Sequence, residues 1–215
     1  SDLTTAQAVE VALELLGPDG GVAIGEVSAS TNLRWANSQL TTNGSMQETN
    51  LSVAAFVPVD GGLGCGISSA QVRTREDIEN LIAAGRASAI AGGPSEDAQA
   101  LIEGPAHDNF HDAPAGADSS GVAHIASSLG DVMRDTAAEF FGYAEQSTDT
   151  MYVATSSGTR LRFSQSTSRF ELCAKSHDRQ RSAWSGQGGT TLTGVDVAAH
   201  SDSVLRGLGH QLNKI

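Results

Sequence analysis

Apolar residues recur along this chain at two different periods, and the switches between them mark out its elements. Over residues 4–16, Ala8, Val11, Ala12, Leu15 and Leu16 fall on one face at helical spacing. Gly17-Pro18-Asp19-Gly20-Gly21 ends that helix with turn formers. Strands are predicted near 22–27 and 33–40. The pair Asn43-Gly44 is a strong hairpin signal, and the return strand is placed at 47–57, where Leu51, Val53 and Ala55 alternate with small or polar residues. A turn at 58–62 leads to a glycine-rich strand at 63–69. Thr74, with Asp77 three residues on, then opens a helix expected to run to about residue 91.

Residues 92–121 hold three of the five prolines and many acids, so they read as a long connector with one short helical turn. The same order of elements then returns. A helix is predicted over 122–145 from the stripe Ile125, Leu129, Val132, Met133 and Phe140. Strands follow at 150–155, 160–164, 169–175 and 182–185, and a terminal helix runs from Ser201 through Leu212. Ala36-Asn37-Ser38 and Ala154-Thr155-Ser156 occupy equivalent places in the two series, as do Leu51-Ser52-Val53 and Phe170-Glu171-Leu172. The expected organisation is an internal duplication: repeat one over about 1–91, a connector over about 92–121, and repeat two over about 122–215. Hairpin-linked strands require an antiparallel sheet, and each sheet needs helices to cover its apolar face. The expected class is therefore α+β.

Composition narrows the functional classes. With 215 residues, 39% of them hydrophobic and 18% charged, the chain can bury a sizeable core. No run approaches the roughly 20 apolar residues of a membrane span. The start, broken by Glu10 and Glu14, reads as an amphipathic helix and not as a signal peptide, so the cytoplasm is the expected compartment. Asp and Glu outnumber Lys and Arg by 25 to 13, giving a net charge of -12 that repels nucleic-acid phosphates and acidic lipid surfaces. Cys65 and Cys173 are too few for a disulfide framework and read as buried free thiols, with a single bridge between them as the alternative.

Catalytic motifs are sparse. No His-Glu-x-x-His string occurs. His107 and His111 are four residues apart, but in a Pro- and Gly-containing stretch that does not support the helix needed to align two imidazoles. Gly66-Ile67-Ser68-Ser69-Ala70 lacks the last glycine of a nucleophile elbow. Gly61-Gly62-Leu63-Gly64-Cys65-Gly66 has no following Lys-Ser/Thr and opens no helix, so it reads as a strand that another backbone or a peptide approaches closely. Trp35 and Trp184 sit in strands beside small polar residues. They read either as core or as walls of a groove for an extended chain, since exposed Ser-, Thr- and Gly-rich edges suit strand addition of a peptide.

Several segments together resemble one family. Thr31-Asn32-Leu33-Arg34-Trp35-Ala36-Asn37-Ser38, followed by an Asn-Gly pair and a Val-containing strand, resembles the first block of the TldD/PmbA family, whose members are also called modulators of DNA gyrase. The helix at 75–91 with Pro94-Ser95-Glu96-Asp97 fits the next block. Tyr143-Ala144-Glu145, Met151 through Arg160, Glu171-Leu172-Cys173-Ala174-Lys175 and Ser182-Ala183-Trp184-Ser185-Gly186 look most like the PmbA (TldE) branch of actinobacterial type. The resemblance implies the amino-terminal domain of a bacterial protein that pairs, as a heterodimer, with a TldD-like subunit into a cytoplasmic metalloprotease. In the family such a pair degrades unfolded peptides, including microcin precursors and an antitoxin. Zinc is expected only in the TldD-like partner, whose His-Glu-x-x-x-His motif has no counterpart here, so no catalytic residue and no metal ligand carries over. The family's carboxy-terminal β-rich domain is expected to lie outside these residues. Trp35, Asn37, Thr155 and Trp184 are the candidate substrate-cleft residues, chosen for their equivalent places in the two halves. Two competing readings remain: a stand-alone peptide-binding module, and a metal-dependent hydrolase using His107 and His111.

Overall fold

The computed structural model describes residues 3–17, 20–134 and 137–210. Local chemistry sets its first helix, α1 (Thr5–Leu16). The Thr4 hydroxyl accepts from the Gln7 N–H, and the Gln7 side chain accepts in return from the Thr4 N–H, a reciprocal cap that satisfies two otherwise orphaned donors. Three strands follow: β1 (Gly21–Ala36), β2 (Gln39–Val59) and β3 (Gly62–Ala70). Helix α2 (Arg75–Gly92) repeats the reciprocal cap with Thr74 and Asp77. After an irregular stretch come α3 (Ser120–Val132), β4 (Glu139–Thr155), β5 (Arg160–Lys175), β6 (Ser182–Gly189) and α4 (Val197–His210). The order helix, three strands, helix thus occurs twice. The class is α+β, with an antiparallel six-stranded sheet ordered β3-β2-β1-β4-β5-β6. Among the described residues no helix is long and apolar enough to cross a membrane.

The chain divides into two compact units. Unit 1 comprises Ser1–Ser28, Glu48–Ala115 and Asp149–Ser164; unit 2 comprises Ala29–Gln47, Gly116–Thr148 and Gln165–Ile215. In unit 1, α1 and α2 cover one face of the strands. Val9, Ala12 and Leu16 from α1 and Ile78 and Ile82 from α2 pack on Ala23, Val27, Leu51, Val53, Ala55, Tyr152 and Ala154. Close approach of α2 to β3 requires glycine, because a Cβ at Gly66 would lie 2.0 Å from the Gly85 carbonyl oxygen. The irregular stretch adds Phe110, whose ring meets Tyr152 edge-on at 5.8 Å. In unit 2, Ile125 and Leu129 of α3 and Val197, Val204 and Leu208 of α4 cover Leu33, Trp35, Phe140, Ala144, Phe170, Leu172 and Ala174.

Four sequence expectations are corrected. The β1–β2 turn falls at Asn37-Ser38, with φ of 51° and 57°, while Asn43-Gly44 lies within β2. Positive φ at both central residues is what a tight hairpin matching strand twist demands, and Asn37 tolerates it. The Ser38 N–H donates to the Phe140 carbonyl, and the Ser38 hydroxyl accepts from the Phe140 N–H, which fixes the turn where it is. The predicted helix over 122–145 stops at Val132. From Glu139 the chain is strand, with Phe140, Ala144, Gln146, Thr148, Thr150, Tyr152 and Ala154 alternating inward, a period of two that the helical stripe had absorbed. The strand predicted at 22–27 continues through 33–36, residues 39–40 of the predicted 33–40 strand belong to β2, and 160–164 is continuous with 169–175, because the small polar residues between them sit in mid-strand. The terminal helix begins at Val197, ahead of Ser201, and Leu212 lies outside the described residues.

Candidate functional site

Each unit has one strand face covered by helices and one that is not. Alternation assigns the second: residues between the buried positions point away from the helices. In unit 2 that open face is aromatic and charged. The Arg34 guanidinium lies 5.0 Å from the centre of the Tyr143 ring, and the Tyr143 hydroxyl donates to Glu145. Lys175 stands 4.8 Å over the Phe141 ring. Arg169 pairs with Glu171, and Arg179 with Glu139 at 3.2 Å. Most of these charges are paired or stacked on rings, and Trp184, 63% exposed, presents a large apolar side chain to solvent, as do Leu40 and Met46 on β2.

Trp184 is held flat over the strand by the absence of a side chain two residues on. A Cβ at Gly186 would lie 2.5 Å from the indole. Beside it a shallow depression of about 330 Å³ is lined by Arg169, Glu171, Trp184, Gly186 and Gly188. β6 and β3 are the two borders of the sheet, and neither contains a charged residue or a proline. Cys173 pairs with Trp184 in the β5–β6 ladder, and burial pushes its thiol above the ordinary cysteine range. Both Cys65 and Cys173 are free and half-buried.

The four cleft candidates from the sequence have different surroundings. Trp35 is 2% exposed and stacks at 5.8 Å against Phe170 on the covered face of unit 2, its core reading. Gly142 is the space it fills, since a Cβ there would lie 2.4 Å from the indole. Asn37 is exposed in the β1–β2 turn, where its amide oxygen accepts from Arg179 at 3.4 Å. Thr155 belongs to unit 1 and closes the β4–β5 turn: its hydroxyl accepts from the Thr159 N–H at 3.2 Å and meets Ser157 at 2.8 Å. Trp184 alone of the four presents a large apolar surface.

Two further arrangements bear on chemistry. Among the described residues no group of three or more His, Cys, Asp or Glu is placed to hold a metal ion. His107 and His111 lie in a run of turns, and His111 is packed edge-on against Phe110 at 5.1 Å. The second arrangement escaped the sequence reading: the Ser185 hydroxyl is 2.7 Å from Nδ1 of His200, whose Nε2 is 3.3 Å from the Gln187 amide oxygen. The distance suits a nucleophile and its base. The third member is a neutral amide, however, and His200 lies against the Phe170 ring at 5.1 Å on the face that α4 covers. A neutral amide cannot stabilise an imidazolium as a carboxylate does. The trio ties α4 to β6.

No protein-family model matches the chain, and a search of curated proteins finds no match. Solved structures do match. TldE from Thermococcus kodakarensis aligns with a TM-score of 0.72 at 12% identity, covering 97% of this chain and 48% of that one. A protein described as a modulator of DNA gyrase from Thermotoga maritima gives 0.65 at 13% identity, covering 93% and 47%. A similarly described protein from Bacteroides thetaiotaomicron gives 0.64 at 13%, covering 97% and 50%. The chain spans about half the length of these structures. Along nearly all of its own length, it has the fold of TldE and of the modulator-of-DNA-gyrase proteins.

Proposed function

We propose that this chain is the amino-terminal-type domain of a PmbA/TldE-like subunit that binds no zinc and works beside a TldD-like, zinc-holding partner in degrading unfolded peptides in the cytoplasm. The observation that carries the reading is the likeness to TldE over 97% of the chain. The acidic balance agrees with a polypeptide substrate better than with a nucleic acid. Within this reading the domain supplies shape and strand edges, not reacting groups. An unfolded peptide laid along the uncharged border of β6 gains main-chain hydrogen bonds regardless of its sequence, and Trp184 offers a flat apolar contact to alternate side chains.

The test is reconstitution. The chain, in its longest native reading frame, is co-expressed with a His-Glu-x-x-x-His family subunit from the same genome. Hydrolysis of a disordered polypeptide is then followed for each subunit alone and for the mixture. The expected result is a stable pair that cleaves while this chain alone does not. Independent cleavage by this chain, or failure to form a complex or stimulate the partner, overturns the proposal.

A further inference from the structure

The open face of unit 1 carries different chemistry from that of unit 2. Its outward positions include apolar side chains on all five strands: Ile67 on β3, Phe56 on β2, Ile24 on β1, Met151 and Val153 on β4, and Phe163 on β5. Ile67 is 70% exposed, Phe163 60% and Met151 38%. They do not form one straight row: the Phe56 N–H donates to the carbonyl of Gly20, just ahead of β1, and Ile24 lies four residues further along. Ala54 pairs with Ile67 and Phe56 with Cys65, and the Thr150–Ser164 hydroxyl contact at 3.0 Å sets Met151 opposite Phe163. Five strands at sheet spacing are roughly 19 Å across. An exposed apolar patch of that extent on a soluble protein marks an interaction surface.

Charge identifies the occupant. The charged residues at outward positions of unit 1 are Glu26, Glu48 and Asp149. All are acidic and exposed, and no ion pair reaches them from the described residues. Unit 1 as a whole has 16 acidic side chains against 5 basic ones, a net charge of −11; unit 2 has 9 against 8. A second copy would bring the same acidic border onto its own kind, and anionic lipid is repelled for the same reason. We propose that the open sheet face of unit 1 docks a cationic amphipathic polypeptide segment, with apolar side chains on the Ile67-to-Phe163 stripe and Lys or Arg side chains against Glu26, Glu48 and Asp149. A helix of about 13 residues spans the stripe. This goes beyond the subunit reading and stands without it.

The test uses the chain alone and synthetic helical peptides of about 18 residues, one of Leu and Lys and one of Leu and Glu, followed by fluorescence anisotropy at low salt. The Leu/Lys peptide is expected to bind, and the Leu/Glu peptide to bind at least about tenfold more weakly. Replacing Ile67 and Phe163 together by Ser should weaken Leu/Lys binding about tenfold or more. Both positions are solvent-exposed, so circular dichroism and the thermal midpoint should stay put. The pair Glu26→Gln and Asp149→Asn should weaken binding several-fold and flatten its salt dependence. Absence of Leu/Lys binding overturns the proposal, as does equal binding of the two peptides or binding indifferent to the Ser variants. Self-association lost with Ile67→Ser and Phe163→Ser overturns it in favour of a second copy, and binding to neutral phosphatidylcholine vesicles lost with the same variants overturns it in favour of a membrane.

Discussion

The two units bury their covered faces in the same way and treat their open faces in opposite ways. In each, two helices lie on alternating apolar positions of the strands. On the uncovered side, unit 2 sets cations on aromatic rings and against carboxylates, with Arg34 on Tyr143, Lys175 on Phe141 and Arg179 beside Glu139. Unit 1 leaves Ile67, Met151 and Phe163 bare among acids. The same helix-on-sheet plan thus serves one face that satisfies its own charges and another whose apolar and acidic groups still want a counterpart. Covered faces answer to packing, which every stable domain must achieve. Open faces are free to differ, and their differences carry the functional information.

The comparison breaks most sharply at the tryptophans. Trp35→Ala opens a cavity beneath α3 and α4 and should lower stability by roughly 3–5 kcal/mol in chemical denaturation. Trp184→Ala, on the open face, should change it by less than about 1 kcal/mol while reducing peptide binding at β6. Equal losses at the two sites would erase the distinction between the faces. Trp35→Phe should cost clearly less than Trp35→Ala, because the buried indole nitrogen has no hydrogen-bond partner to lose.

A smaller effect separates the ion pairs. In unit 1, Arg160 grips Glu10 with two nitrogens at 2.8 and 2.9 Å, and both side chains are largely shielded. Glu10→Gln should cost about 1 kcal/mol. The Arg179–Glu139 pair of unit 2 has a single 3.2 Å contact and an exposed arginine. Glu139→Gln should therefore cost about 0.5 kcal/mol or less.

The smallest expected effect is a dependence on acid. The Arg73 and Thr74 N–H groups hold the Asp77 carboxyl below the usual aspartate range in unit 1, and the Ser176 hydroxyl does the same for Asp178 in unit 2. A carboxyl whose folded pKa is lowered stabilises the fold above the ordinary aspartate value, and that support fades as pH falls through it. The thermal midpoint should therefore drop on acidification below about pH 4, and Asp77→Asn together with Asp178→Asn should flatten the slope. An unchanged slope would mean that other groups govern acid sensitivity.

Much of this architecture was legible in the chain. The helical stripe over 4–16 and the pair Thr74 and Asp77 mark the first two helices, and the glycine-rich run at 63–69 is a strand onto which α2 packs closely. The errors share a cause. A helical stripe ending in Phe140 fits Ile125 and Leu129 as well, so periodicity alone could not see the break before Glu139. Asn-Gly outranks Asn-Ser as a local turn signal, yet the tertiary bonds between Ser38 and Phe140 decided the hairpin. The open faces were harder still. Ile24, Met151 and Phe163 look like core residues in a linear pattern, and only the folded arrangement reveals that none of the described helices lies over them. Trp35 and Trp184 stand in similar local sequences, and their opposite fates come from which way each strand position points. The Ser185–His200 contact joins a strand and a helix that no motif connects.

The uncharged margins of β3 and β6 carry one more implication. Proteins commonly guard such borders with lysine, proline or a bulge, and Ser182–Gly189 has none of these. A border of that kind welcomes any extended backbone without choosing among them. Discrimination must then reside in the neighbouring side chains, so changing Trp184 on β6 or Ile67 on β3 should alter which polypeptides are retained, whereas placing a single lysine on β6 should stop retention by that border altogether.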